Sequence, residues 1–163
     1  MTVRNLEFLF HPASVAVVAE PDEPSRYAEV VLANLEAGSF SGPVMSVSAR
    51  KRSLFYLGDD VRLGELAVVP DLAIICASLD NVPSIIGQLG ARGTRAVIVG
   101  PWMWHRMNRK QIAAARTAIL EAAQPYLIRV LGPGSGGLVV PARGLDASAA
   151  PVPGTYLSRT KPS

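Results

Sequence analysis

The chain has 163 residues, 49% of them hydrophobic, with a net charge of +3 and a single cysteine. That length suits one domain with a sizeable core, and that composition excludes a disordered chain. One cysteine excludes a disulfide framework and a cysteine-based zinc site, and no apolar run reaches the roughly 18 residues of a membrane span.

The N-terminal stretch Met1 to Phe10 is not read as a signal peptide, because Glu7 interrupts it and no small-residue cleavage site follows. Ser14 to Ala19 is a valine-rich run suited to a strand buried on both faces. Arg26 to Ala37 carries Tyr27, Val30, Val31 and Leu35 at helical spacing, with Gly38 placed to end the helix. Pro43 to Ser48 predicts a second strand. Ser53 to Leu66 is punctuated by Gly58 and Gly64 and reads as loop with a short strand or helical turn.

Leu72 to Ala77 predicts a third buried strand, with Cys76 as an inert thiol inside it. Asn81 is placed to cap a helix with Pro83 in its first turn, running to Leu89 and closed by Gly90. Ala96 to Val99 predicts a fourth strand. Asn108 is placed to cap a helix reaching about Ala123, ended by Pro125. Tyr126 to Leu131 predicts a fifth strand, Gly132 to Gly137 a loop, and Leu138 to Val140 a short edge strand. From Asp146 onward the composition is that of a linker or frayed tail. The domain is accordingly drawn over residues 1–150, with 151–163 as a linker toward a following domain.

Strand and helix in alternation imply parallel pairing, right-handed crossovers and helices on both faces. The predicted fold is α/β, a Rossmann-like doubly wound parallel sheet of about five strands. In such sheets ligands bind outside the carboxyl ends of the strands, near the switch point of strand order. The candidate ligand loops are therefore those after the five strands.

The first of these, Ala19-Glu20-Pro21-Asp22-Glu23-Pro24-Ser25-Arg26, has no glycine, two prolines without amide donors, and three acids. A phosphate cradle needs glycines there so that backbone amides can approach. This loop argues against tight phosphate binding unless Ser25 or Arg26 compensates. The second loop carries Arg50-Lys51-Arg52, where a NAD-binding protein usually offers an acid. Bases there suit a phosphorylated ribose, and a solvated basic turn is an equal alternative. The loop Gly132 to Gly137 is either an anion nest or a tight connection. Trp102, Trp104 and His105 follow the fourth strand on the ligand side. Neither His11 nor His105 has partners at a spacing that suggests a triad or metal site, so no catalytic constellation and no metal site is read. Without aromatic interleaving of the basic clusters, nucleic acid is a weak partner.

Several stretches together carry a family resemblance. Asn5-Leu6-Glu7-Phe8-Leu9-Phe10-His11-Pro12-Ala13-Ser14-Val15-Ala16-Val17-Val18 resembles the opening of the CoA-binding domain of NDP-forming acyl-CoA synthetases. Asn34-Leu35 with Phe40-Ser41-Gly42-Pro43-Val44, Pro70-Asp71-Leu72-Ala73-Ile74-Ile75 and Gly93-Thr94-Arg95-Ala96-Val97-Ile98 are similar to later motifs of that domain. Arg129-Val130-Leu131-Gly132-Pro133 and Gly144-Leu145-Asp146-Ala147-Ser148 resemble its closing ones. The order and spacing run from about Asn5 to Pro153. The nearest subgroup resembles the synthetase-like module of GNAT-fused protein lysine acetyltransferases.

The resemblance implies a fold like the N-terminal domain of the succinyl-CoA synthetase α-subunit. It implies CoA or acyl-CoA held by Ala19 to Arg26, Val47 to Lys51, and Cys76 to Ser78. With the loop after the fourth strand, the candidate contacts are Ala19, Glu20, Ser25, Arg26, Ser48, Arg50, Lys51, Ala77, Ser78, Gly100 and Trp102. Departures from the family pattern fall on this side: Ala19-Glu20-Pro21 in the first loop, Cys76-Ala77-Ser78, Pro101-Trp102-Met103-Trp104 and Gly132-Pro133-Gly134. The family's catalytic phosphohistidine, ATP-grasp module and any GNAT fold lie beyond this chain. The expectation is therefore a cytoplasmic module of a larger ligase or transferase without turnover of its own. Its partners would be a CoA-type small molecule, other domains of the same polypeptide and, as a further option, a second copy of the chain. Two alternatives stand beside it: a degenerate, ligand-free interaction or regulatory module, and an NADP-binding domain.

Overall fold

A computed structural model describes residues 4–20, 26–48, 61–101 and 107–150. In chain order the elements are α1 (Glu7–Phe10), β1 (Val15–Ala19), α2 (Arg26–Ala37), β2 (Val44–Ser48), β3 (Val61–Arg62), β4 (Leu72–Cys76), α3 (Val82–Arg92), β5 (Ala96–Val99), α4 (Arg109–Ala123), β6 (Arg129–Leu131), β7 (Gly137–Val140) and β8 (Leu145–Ser148).

Six strands form one sheet in the order β3-β2-β1-β4-β5-β6, every pair parallel. This is a Rossmann-type strand order, and its direction reverses between β1 and β4. The five expected strands are all present. The sixth, β3, comes from the punctuated stretch before Leu66 and is followed by a single 3-10 turn at Leu63–Glu65.

The central strands are apolar on both faces because both faces are covered. Ala16, Val18, Ala73 and Ile75 pack with α3 and α4 through Ile86, Leu89 and Ile119. Val15, Val17, Leu72 and Ile74 pack on the other face with α2 through Val31 and Leu35. Cys76 lies in this second layer, 2% exposed, and burial pushes its thiol up to about 12, as suits an inert core residue.

Four expectations are corrected. Helix α3 does not close at Gly90. It runs to Arg92 and ends at Gly93, whose left-handed φ of 106° lets its N–H reach the carbonyls of Gly90 and Leu89. Gly90 instead leaves room for the Tyr126 ring, which a Cβ there would strike. The strand expected from Tyr126 begins at Arg129, because Gln124–Tyr126 forms a 3-10 turn and Leu127 takes φ 56°.

Leu138 to Val140 does not extend the main sheet. Strand β7 pairs antiparallel with β8 in a separate ribbon. The supposed tail from Asp146 enters that ribbon, and Leu145 and Ala147 are fully buried in the layer with α2. The Asn34 side-chain amide, from α2, holds it in place by donating to the Ser148 carbonyl at 3.0 Å and the Ala150 carbonyl at 2.8 Å. Residues 151–163, expected as a linker, lie outside the described residues.

Candidate functional site

The registers fix where a ligand edge must be. Ala19 lies abreast of Ser48 on one side and Cys76 on the other, and Ile75 is level with Val99. The carboxyl ends of β2, β1, β4 and β5 thus stop on one line, with Glu20, Ala77, Ser78 and Gly100 just beyond it. The switch point falls between Glu20 and the loop Ala77–Asn81.

Glu20 turns inward there and is 5% exposed. Its carboxylate accepts the Ser78 backbone N–H at 3.3 Å and the Asn81 side-chain amide in a short contact. Asn81 also donates to the Ser78 hydroxyl at 3.0 Å. The Ser78 carbonyl in turn accepts the backbone N–H groups of Asn81 and Val82 at 3.0 and 3.3 Å, which starts α3. Asn81 therefore does not cap α3 as expected. Its backbone is already helical, at φ −94° and ψ −19°, and its side chain is committed to Glu20 and Ser78. Asn108 does cap α4, exchanging two hydrogen bonds of 2.9 Å with Gln111 in a capping box.

Of the expected contacts, Ala19, Glu20, Ala77, Ser78 and Gly100 meet along this edge. Arg26 opens α2, and Ser48 closes β2 beside Ala19. Ser25, Arg50, Lys51 and Trp102, with Trp104 and His105, lie outside the described residues.

The glycine-rich loop after β6 is a tight connection and not an anion nest. Gly134 and Ser135 spend their N–H groups on the carbonyls of Gly100 and Val99, at 3.3 and 3.2 Å, and Gly137 donates to the Ser135 hydroxyl at 3.1 Å. Among the described residues, no group of three histidines, cysteines or acids could hold a metal ion.

Tyr27, which in the sequence reads as one more apolar position of α2, lies with its ring against Gly100 at this edge. Its hydroxyl is buried without a hydrogen-bond partner. Burial, with a smaller contribution from Cys76, holds its phenol well above the usual tyrosine range. An open groove of about 450 Å³ lies between the first turns of α3 and α4, lined by Leu79, Pro83, Met107, Gln111, Ala115 and Ala118. Its walls mix apolar side chains with the polar Asp80 and Gln111, and it adjoins the Ala77–Asn81 loop.

A doubly wound sheet with an open carboxyl edge at its switch point defines a Rossmann-type ligand-binding domain. The family described as "CoA binding domain" matches residues 13–141, which takes in β1 through β7. The chain belongs to that family.

It is 24% identical over 151 residues to the α-subunit of acetate–CoA ligase (ADP-forming) I of Pyrococcus furiosus, covering 90% of this chain and 32% of the relative. It is 24% identical to acetate–CoA ligase (ADP-forming) II of Archaeoglobus fulgidus, covering 91% of this chain and 22% of the relative. In three dimensions it is similar to the dinucleotide-forming acetyl-coenzyme A synthetase 1 of Candidatus Korarchaeum cryptofilum in complex with phosphate and ADP. That match has a TM-score of 0.71 at 29% identity, over 90% of this chain and 31% of the other. The chain thus spans a third or less of the length of these relatives. Among the described residues, no helix is long and apolar enough to cross a membrane.

Proposed function

We propose that this domain holds CoA or acyl-CoA for a larger NDP-forming acyl-CoA synthetase and has no turnover of its own. The observation that carries this reading is the family match over residues 13–141, which spans both sides of the β1–β4 switch point. The chain brings an edge for a nucleotide-bearing cofactor and no catalytic constellation among its described residues. The groove beside Ala77–Asn81, where Leu79, Pro83 and Met107 stand with Asp80 and Gln111, offers both apolar and hydrogen-bonding surface to an arm of such a ligand.

The proposed lining is Ala19, Glu20, Ser25, Arg26, Ser48, Arg50, Lys51, Ala77, Ser78, Gly100 and Trp102. Fusion to an acetyltransferase domain, in a cytoplasmic protein, rests on the sequence resemblance alone.

Titration calorimetry with CoA, acetyl-CoA and NADP tests the binding reading. CoA and acyl-CoA should bind and NADP should not, and NADP binding without CoA binding would overturn it. The purified domain should show no turnover with ATP, CoA and acetate. A second reading, a ligand-free interaction module, is favoured by one observation: Glu20 already occupies donors at the switch point.

A further inference from the structure

The donors that a switch-point edge offers an anion are the N–H groups at the start of the helix after the strand. In the loop that leads into α3, two further donors stand at the same edge: the Ser78 backbone N–H and the Asn81 side-chain amide. Both are spent on Glu20, a residue of β1's own loop that lies 58 and 61 positions away in sequence. Glu20 is buried and its carboxylate is held from both oxygens, so it does not project over the edge as a surface acid would. A carboxylate and a ligand phosphate compete for the same donors and repel each other at close range.

We infer that Glu20 is an internal anion that fills the place of a ligand's phosphate at Ser78 and Asn81. It is a specificity-determining residue that selects against phosphate in the β4–α3 loop. What the inference says of CoA rests on the reading of this edge as the CoA site. It adds that a CoA-type ligand must keep its diphosphate away from Ser78, or displace Glu20 to place it there.

The test compares the parent chain with Glu20→Gln, which keeps the size and removes the charge, and Glu20→Gly, which frees the Ser78 N–H. Inorganic pyrophosphate and CoA are titrated into each by calorimetry. The Ser78 amide resonance is followed by NMR, and thermal melts confirm that each variant is folded. Pyrophosphate should not bind the parent. It should bind Glu20→Gly and move the Ser78 amide, and CoA should bind both variants about tenfold or more tightly than the parent. Should Glu20→Gly not fold, the gain in Glu20→Gln carries the test alone.

Folded variants that bind pyrophosphate and CoA no better than the parent overturn the inference, and weaker CoA binding by Glu20→Gln overturns it as well. The two readings separate cleanly. CoA binding that ignores residue 20 leaves the proposed function standing and removes this inference. Pyrophosphate gained at Ser78, with no CoA binding by any variant, does the reverse.

Discussion

The ring of Tyr27 closes on the backbone of Gly100: a Cβ at position 100 would stand 2.6 Å from Tyr27 Cε1 and 3.1 Å from its hydroxyl oxygen. This contact joins the first turn of α2 to the end of β5, directly under the ligand edge. Gly100 is fixed from two more sides, donating to the Ile75 carbonyl and accepting from Gly134, each at 3.3 Å. An added methyl has no free direction, so Gly100→Ala should destabilise the domain by about 1–3 kcal/mol through overpacking. Tyr27→Phe removes a buried hydroxyl that has no partner and should be neutral or stabilising by up to about 1 kcal/mol. Urea unfolding of the two single variants checks both. Tyr27→Leu should recover part of the Gly100→Ala loss in the double variant, because the clash is with the ring.

How much of this was legible in the sequence depends on whether the signal was local. The runs at β1, β4 and β5 are continuous and apolar, so their burial on two faces could be read directly. Asn108 stands directly before a helical run, so its cap could be read from position, while the reciprocal bond to Gln111 that completes the box was not read. Strand β8 was hidden because its inward residues are Leu145 and Ala147, separated by Asp146, too short and too small a pattern to outweigh the flanking Ala, Ser and Pro. Gly90 and Gly93 are both able to end α3. The choice between them is made by the Tyr126 ring, which needs the space at Gly90. The direction of Glu20 was least legible of all. Nothing near it in sequence announces Ser78 and Asn81 as its partners, so it reads only as an acid in the first loop that opposes a ligand's phosphate.

Asn34 is 2% exposed, and its amide reaches the Ser148 carbonyl, the Ser148 hydroxyl and the Ala150 carbonyl. It is the tie between α2 and the ribbon. Asn34→Ala should cost about 1–3 kcal/mol, since it leaves buried acceptors unpaired. Amides of 145–150 should exchange faster in that variant, while those of β4 keep their protection relative to global stability. Asn34→Asp should be worse and should lose further stability as the pH rises through the carboxylate range, because an ionised acid would face carbonyl oxygens.

Cys76 has a folded-state thiol pKa of about 12 against an ordinary value of 9.0, with burial as the cause. A pKa raised on folding contributes stability that is fully present below the unfolded value and is lost as the pH climbs toward the folded one. Stability should therefore fall between about pH 9 and 12, and Cys76→Ala should flatten that part of the profile. At pH 8 the parent's thiol should react with a thiol reagent only as fast as the domain opens. Rapid stoichiometric labelling of the folded protein would contradict the burial of this residue.

Arg50, Lys51 and Arg52 follow Ser48, and Ser48 is the strand end that lies beside Ala19 at the switch point. If the basic triplet meets the 3′-phosphate of CoA, then Arg50→Ala with Lys51→Ala should cost roughly 1–3 kcal/mol of CoA affinity, the range for hydrogen bonds to charged groups. Dephospho-CoA lacks that phosphate, so the same double variant should lose much less with it. The comparison cancels what the two ligands share, including any contact of the diphosphate or of the uncharged arm. It also cancels any general loosening of the fold, which would weaken both ligands alike. Raising the salt concentration should shrink the difference between them, because exposed charges are screened over about 10 Å at 0.1 M. Equal losses for CoA and dephospho-CoA would make the triplet a solvated turn after β2 and leave the 3′-phosphate without a partner there.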